Sequence, residues 1–268
     1  MTHKRIDVAL VDRDFFSSRS KAQMAIEDRV VHVNKTLVLK PSFLVEDTDD
    51  ITIEGETLKY VSRGGLKLEK AIELFNLSLK DVVAMDIGAS TGGFTDCMLQ
   101  NGAQMVYAVD VGSDQLCESL KASDQVVDMS QTNIRDLKLS DLKAPLDFIS
   151  IDVSFIPLHL VLPVAKQLLK EEGEIIALIK PQFEIGKHKG LKKGIVKDPK
   201  DHVMVLKTLI NTFEDNGFSW KGLTYSPVKG PKGNLEFLAY VKKDKSTSCH
   251  FDNTTLKDLV KEAHERLK

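Results

Sequence analysis

The chain has 268 residues, a formal net charge of -2 and 42% hydrophobic residues, room for one large and one small domain, each with its own core. That balance carries no global basicity, so any nucleic-acid surface must come from charge segregation. The three cysteines have no paired spacing and the seven histidines form no cluster, which argues against a disulfide framework and against a metal site.

The start, MTHKRIDVAL, lacks the apolar core of a signal peptide. The most apolar long stretch, Leu146–Ala165, is interrupted by Asp147, Asp152 and His159, so the expectation is a cytoplasmic chain without a membrane span. Residues 1–60 read as a small α+β unit. Arg5–Val11 and Ser20–Ile26 have helical spacing, with Ser17, Ser18 and Ser20 as caps between them. Val30–Val33 reads as a short strand, Asn34-Lys35 as a turn, and Lys40-Pro41-Ser42 with Val45–Ile53 as a strand-like run towards Gly55. Residues 1–45 hold eight Lys/Arg against five Asp/Glu, whereas 46–56 hold six acids and no base. Residues 61–67 form a linker in which Gly64-Gly65 permits a bend. A helix follows over Leu66–Leu74.

The large unit, residues 68–243, opens on VVAMDIGASTGGFTDCML, Val82–Leu99. An apolar run with β-branched residues reads as a buried strand, turns through Gly88, Gly92 and Gly93, and becomes helical at Phe94. Strand, glycine turn and helix make the nucleotide-binding corner of a Rossmann-like sheet. Asp110 ends the next apolar run, Met105–Val109, at about the ~20-residue offset where an acid accepts ribose hydroxyls. The dinucleotide fingerprint is absent, because residue 90 is Ser, and no P-loop occurs. The remaining ligand class bears adenosine without a pyrophosphate, and S-adenosylmethionine fits it. Downstream, the pattern predicts a helix over Asp114–Ala122 and a strand near Val126–Asp128. Leu146–Phe155 is the next strand, Pro157–Lys170 a helix, Gly173–Pro181 a strand and Asp201–Asn216 a helix. Phe218–Val228 and Leu235–Lys242 close the sheet as an antiparallel pair. Seven strands with a terminal hairpin is the α/β architecture of class I methyltransferases. Residues 244–268 are a polar linker and a short amphipathic helix, with Thr255-x-x-Asp258 as its cap.

Two strand ends carry charge to the crevice beyond the carboxyl ends of the sheet: Asp152 and Lys180. Glu236 lies inside an apolar strand, and Lys67 sits at the domain junction. Isolated charges on buried strands are costly unless paired, so these two lysines and two carboxylates are expected to share one site. Such a tetrad suits methyl transfer to a ribose hydroxyl: the hydroxyl must be held in line and its proton removed. Lys180 is assigned as proton acceptor and Asp152 as its orienter, with Lys67 and Glu236 completing the network. The loop Gly186–Lys200 holds six lysines and His188 against one acid, Asp198, and reads as a phosphate-gripping loop through Lys187, Lys189, Lys192 and Lys193.

The N-terminal signature S-x-R-S-K-A-Q-x-x-I, V-x-V-N-K, K-P-S resembles the alpha-L RNA-binding module of ribosomal and RNA-modifying proteins. The resemblance implies RNA contacts at Arg19, Lys21, Gln23, Asn34 and Lys40; Arg5 and Arg63 are added as neighbouring cations. Asp28-Arg29 stand where the module usually has a glycine. The order of that module, S-R-G-G-x-K, D-I-G-A-S-T-G-G-F-T, I-D-V-S-F-I and I-K-P-Q-F-E resembles the TlyA family over residues 4–243. That family comprises bacterial proteins called hemolysins and FtsJ-like rRNA ribose 2′-O-methyltransferases. It implies the tetrad Lys67, Asp152, Lys180 and Glu236. It also implies cofactor contacts from the glycine turn (Asp86, Gly88, Ala89, Ser90, Gly92, Gly93, Phe94), from Asp110, and from Asn133 and Ile134. FtsJ relatives usually carry an acid at the Asn133 position. Cytidine ribose in ribosomal RNA and a ribosomal-subunit partner are implied by resemblance alone. Competing readings are an amine methyltransferase, since Asp152-Val-Ser-Phe155 faintly echoes the motif of that class, a membrane-lytic protein, and a ribosome-binding factor without catalysis.

Overall fold

The computed structural model describes residues 3–16, 18–27, 30–54, 59–186, 194–230, 232–244 and 248–267. The chain divides into two units, residues 1–62 and 63–268.

The N-terminal unit runs β1 (Lys4–Arg5), α1 (Ile6–Asp12), α2 (Arg19–Glu27), β2 (Val31–Val33), β3 (Thr36–Leu37), β4 (Leu44–Val45) and β5 (Ile51–Ile53). β2 is the centre of a three-stranded sheet in the order β3-β2-β5, and β1 pairs with β4. Ile6, Leu10, Ala22, Ile26, Val31 and Val45 form the core. Asn34 and Lys35 both have positive φ, the conformation a tight hairpin turn between β2 and β3 requires. The strand-like run Val45–Ile53 is broken in two. The Asp49 carboxylate accepts from Glu46 N at 2.7 Å, and Arg13 donates to the Glu46 and Asp49 carbonyls. A turn held by side chains outcompetes a continuous strand there. The Asp28-Arg29 position lies outside the described residues.

In the second unit come α3 (Gly64–Phe75), β6 (Val83–Ile87), α4 (Gly93–Gln100), β7 (Met105–Val109), α5 (Glu118–Lys121), β8 (Val126–Met129), β9 (Leu146–Ile151), α6 (Leu162–Leu168), β10 (Leu169–Ile179), α7 (Pro181–Glu184), α8 (Pro199–Asp215), β11 (Ser219–Tyr225), β12 (Phe237–Lys242) and α9 (Asn253–Arg266). The seven strands lie in the order β11-β12-β10-β9-β6-β7-β8. β12 is antiparallel to both neighbours, and β10, β9, β6, β7 and β8 are parallel. This is the expected α/β sheet, with a core that includes Met85, Ile149, Ile176, Phe213, Trp220 and Phe237.

Several boundaries differ from the sequence reading in ways that bear on the site. Gly64 and Gly65, expected as a bend, open α3. The helix predicted over Leu66–Leu74 thus starts two residues earlier, with Lys67 in its first turn. β9 stops at Ile151, so Asp152–Phe155 is not strand; an apolar run alone does not mark where a ladder ends. Glu236 lies just before β12 rather than within it. α9 is capped by Asp252, whose carboxylate accepts from Thr255 N at 2.7 Å, not by Thr255. Its Leu256, Val260 and Ala263 join the main core.

Candidate active site

The sheet register brings the site together. Ile87 pairs with Ile151, so Gly88 and Asp152 leave adjacent strands side by side. Ile179 pairs with Phe237 in the antiparallel neighbour, so Lys180 and Glu236 flank one another at the same edge. Gly88 has φ +89, and a Cβ there would sit 2.5 Å from the Asp152 carbonyl oxygen. Only glycine allows the two strand ends to approach this closely.

At this edge the four charged side chains form two ion pairs. Lys67 Nζ, reaching in from α3, donates to Glu236 Oε2 at 2.7 Å; the two side chains are 9% and 1% exposed. Lys180 Nζ lies 2.6 Å from Asp152 Oδ1 and donates to Ser154 Oγ at 2.9 Å. Burial pushes the Glu236 carboxyl up while the Lys67 ammonium draws it back down, and Asp152 and Lys180 also act on it. The two pairs are therefore one electrostatic unit. Gly230 leaves room for it, because a Cβ there would lie 2.4 Å from Glu236 Oε1.

Beside the tetrad is a cavity of about 490 Å³ whose walls include Gly88, Ser90, Asp110, Asn133, Ile134 and Asp152, within the size range of small-molecule sites. Asp110 is fixed by two backbone donors, Ser90 N to Oδ2 and Gly112 N to Oδ1, each at 2.8 Å. A carboxylate oxygen accepts more than one hydrogen bond, so both retain capacity for ligand hydroxyls. Asn133 Oδ1 accepts from Arg135 N and Nε, leaving its amide NH₂ as the end available to a ligand.

Other expected cofactor residues sit behind this surface. Ala89, Gly92, Gly93 and Phe94 are buried; Gly92 has φ +94, and a Cβ there would strike Leu116 and Leu120. Asp86 is corrected outright, because it is fully buried and its carboxylate faces inward. Oδ2 accepts from Thr95 N and Oγ1 and Oδ1 from Ser150 Oγ, so it caps α4 rather than touching a ligand. Burial pushes this carboxyl up to about 7.

As a functional residue, Phe155 entered the sequence reading only in the motif of the competing amine-methyltransferase reading and not among the expected site residues. It is 88% exposed, has φ +64, and its ring stands 4.9 Å from that of Phe183 at the cavity wall. Inclusion in an apparent strand concealed it. Ser154, Gln115 and Thr132 were likewise missed; no residue-type signal marks them.

In the N-terminal unit, three expected RNA-contact residues converge on Asp7, which is fully buried. Arg5 Nε, Arg19 and Gln23 Nε2 donate to its carboxylate at 3.0, 2.9 and 2.7 Å. These partners hold the Asp7 carboxyl well below the usual range. Asn34 bonds Asp49 and Asp50 across the sheet. Lys40 is exposed and Lys21 half-buried, and Arg63 precedes α3. Lys187, Lys189, Lys192 and Lys193 lie outside the described residues. The returning end of their loop is pinned by Asn234, which accepts from Val196 N and donates to the Gly194 carbonyl. No helix among the described residues is long and apolar enough to cross a membrane.

Comparison with known proteins accords with this geometry. Residues 60–243 match the FtsJ-like methyltransferase family and residues 4–51 the S4 domain. A Bacillus subtilis protein provisionally named as an rRNA methyltransferase, YqxC, is 45% identical over 100% of this chain and 97% of its own. The Mycobacterium tuberculosis 16S/23S rRNA (cytidine-2′-O)-methyltransferase TlyA is 35% identical over 89% of each chain. A solved structure from Streptococcus thermophilus, provisionally named a hemolysin, is 44% identical over 99% of this chain and 97% of that one, with a TM-score of 0.79. The two ion pairs thus lie at the edge of a methyltransferase sheet, and the chain belongs to the FtsJ-like methyltransferase family, with an S4 domain preceding the methyltransferase domain.

Proposed function

We propose that the chain methylates a ribose 2′-hydroxyl of cytidine in ribosomal RNA, using S-adenosylmethionine. The observation that carries the reading is the pairing of Lys67 with Glu236 and of Lys180 with Asp152 beside the cavity at Gly88 and Asp110. The printed names of two TlyA relatives add the cytidine 2′-hydroxyl and ribosomal RNA.

The donor set suits the adenosine part of the cofactor: Asp110 for the ribose hydroxyls, the Asn133 amide and Ile134 for the adenine. Bound there, S-adenosylmethionine supplies a methyl group already activated by its sulfonium. The protein's remaining tasks are to place the acceptor oxygen in line and to take up its proton. Methyl transfer from such a donor would leave the sulfur neutral and the acceptor oxygen methylated, so the chain's own residues would have only the hydroxyl proton to handle. Lys180 is the residue placed to receive the hydroxyl proton, and Asp152 and Ser154 orient its Nζ. Lys67, held by Glu236, stands ready to hydrogen-bond the ribose. Phe155 offers an exposed ring face on which the acceptor base stacks. Lys21 and Lys40 of the S4 domain, with the lysines of the 187–193 segment, contact phosphates in the RNA of a ribosomal subunit.

The test is transfer of labelled methyl from S-adenosylmethionine to unmodified ribosomal subunits, with the labelled position mapped. Label on a ribose 2′-oxygen is expected, with Lys180→Ala abolishing transfer while cofactor binding by calorimetry persists. Label on a base nitrogen, or normal turnover by Lys180→Ala, refutes the reading.

A further inference from the structure

The segment Asp152–Pro157 leaves β9 and carries three parts of the site in irregular backbone: Asp152, Ser154 and Phe155. It is an exposed arm with a left-handed residue at Phe155, φ +64, a conformation unfavourable for a side chain of this size. Asp152 N donates to the Ile87 carbonyl, and Val153, Ile156 and Leu158 pack on the main core; the side-chain anchors of the arm come from Lys180–Glu184, the end of β10 and α7. Lys180 pairs with Asp152 and Ser154 at the start of the arm. The Phe183 ring packs on Phe155 in the middle. At the far end, Glu184 Oε1 accepts from Leu158 N at 2.9 Å, where a 3₁₀ turn begins. Lys180 has a place in the chemistry and Phe183 is a ring against a ring. Glu184 has neither role, yet its carboxylate is partly buried, and burial pushes it up to about 7. Burying such a group is unfavourable unless its hydrogen bond does something for the fold or the reaction.

We propose that Glu184 is a positioning residue for the methyl acceptor. By pinning Leu158 it fixes the arm's far end, so that Phe155 presents its ring to the acceptor base while Asp152 and Ser154 keep Lys180 aimed. This rests on the methyl-transfer reading above and adds to it the element that orders the acceptor side of the site. The arm lines the same cavity as Asp110 and Asn133, but those two contacts come from other strands, so the loss should fall more heavily on RNA than on S-adenosylmethionine.

The experiment uses the full chain, unmodified ribosomal subunits and labelled S-adenosylmethionine, with five forms: wild type, Glu184→Ala, Glu184→Gln, Phe155→Ala and the Glu184→Ala/Phe155→Ala double variant. Glu184→Ala is expected to raise KM for the subunit about tenfold, the scale of one hydrogen bond to a charged group, with the calorimetric Kd for the cofactor little changed. Glu184→Gln keeps an acceptor oxygen and should restore KM. In the double variant the effects should not add, because both act through the same arm. An unchanged KM in a Glu184→Ala protein that has only lost thermal stability overturns the proposal, as does simple additivity. Should Glu184→Ala not fold, Glu184→Asp, which withdraws the carboxylate by one methylene and keeps its charge, carries the same comparison. If wild type labels something other than ribose, the methyl-transfer reading fails. If wild type labels ribose and the variants keep KM, only the role of Glu184 falls.

Discussion

Removing one member of the Lys67–Glu236 pair should cost far more than removing both. The pair is short, 2.7 Å, and almost completely buried. Deleting one partner leaves an uncompensated charge out of water, which costs about 3–5 kcal/mol, whereas replacing both with apolar residues of similar length is often neutral. Lys67→Met is therefore expected to lower the melting temperature of the second unit by roughly 6–20 °C, at about 2–4 °C per kcal/mol for a domain of this size. The loss should depend on pH with a definite sign. Without Lys67, the Glu236 carboxyl is raised further by burial, so the folded state binds a proton that the unfolded state releases above about pH 4.5. The destabilisation should then be small in acid and grow as pH rises. Lys67→Met with Glu236→Met should return to within about 1 kcal/mol of wild type yet transfer no methyl groups. Thermal unfolding by circular dichroism from pH 4.5 to 8, with transfer assays on the same samples, measures both. A single variant costing less than about 1 kcal/mol refutes the burial argument. A stable double variant with normal transfer refutes a role for the pair in the reaction.

Two further outcomes follow from buried carboxylates of opposite sign. Asp86 sits at about 7 in the folded protein against an ordinary 3.8, so its folded state holds a proton that the unfolded chain gives up. Its contribution to stability should fall as pH rises from about 4 to 7 and then level off, by about 4 kcal/mol at most. Asp86→Asn should remove that slope from the unfolding free energy, and an unchanged slope would contradict it. Asp7 is the reverse case: its lowered carboxyl stabilises the N-terminal unit above about pH 4 and ceases to do so as pH falls below that value. Arg19→Ala should accordingly weaken the N-terminal unit itself, as read by its thermal transition. Lys21→Gln should instead reduce the salt slope of RNA binding by about one. The opposite assignment of those two effects would mean that Arg19 belongs to the RNA interface and not to the fold.

The corner at Gly88 was legible because a strand, a glycine turn and a helix impose residue types on consecutive positions. Asp110 was legible because a strand end follows that corner at a fixed interval. Met105–Val109 is a strand in both readings, since an apolar run bounded by polar residues is local information. Asp86 reads as a ligand residue because it lies in the same motif, yet the strand's alternation turns its side chain into the core, where Thr95 and Ser150 claim both oxygens. Arg19 and Gln23 read as RNA-contact positions from the module's motif, and only the fold shows that both also donate to the buried Asp7 carboxylate while Arg19 stays 56% exposed. Phe155 was hidden in an apolar run that outlasts its ladder.

By itself, then, the sequence determined the parallel sheet with its antiparallel closing hairpin, the strand, glycine turn and helix at Gly88, and the convergence of the four charged residues, because period, turn chemistry and buried charge are written locally. Only the tertiary structure decided the distances at which the two pairs meet, that Asp86 turns into the core, and that Glu184 meets the arm of Phe155. Those contacts join positions up to 169 residues apart, and their partners are chosen by strand register and helix packing, which no local pattern encodes.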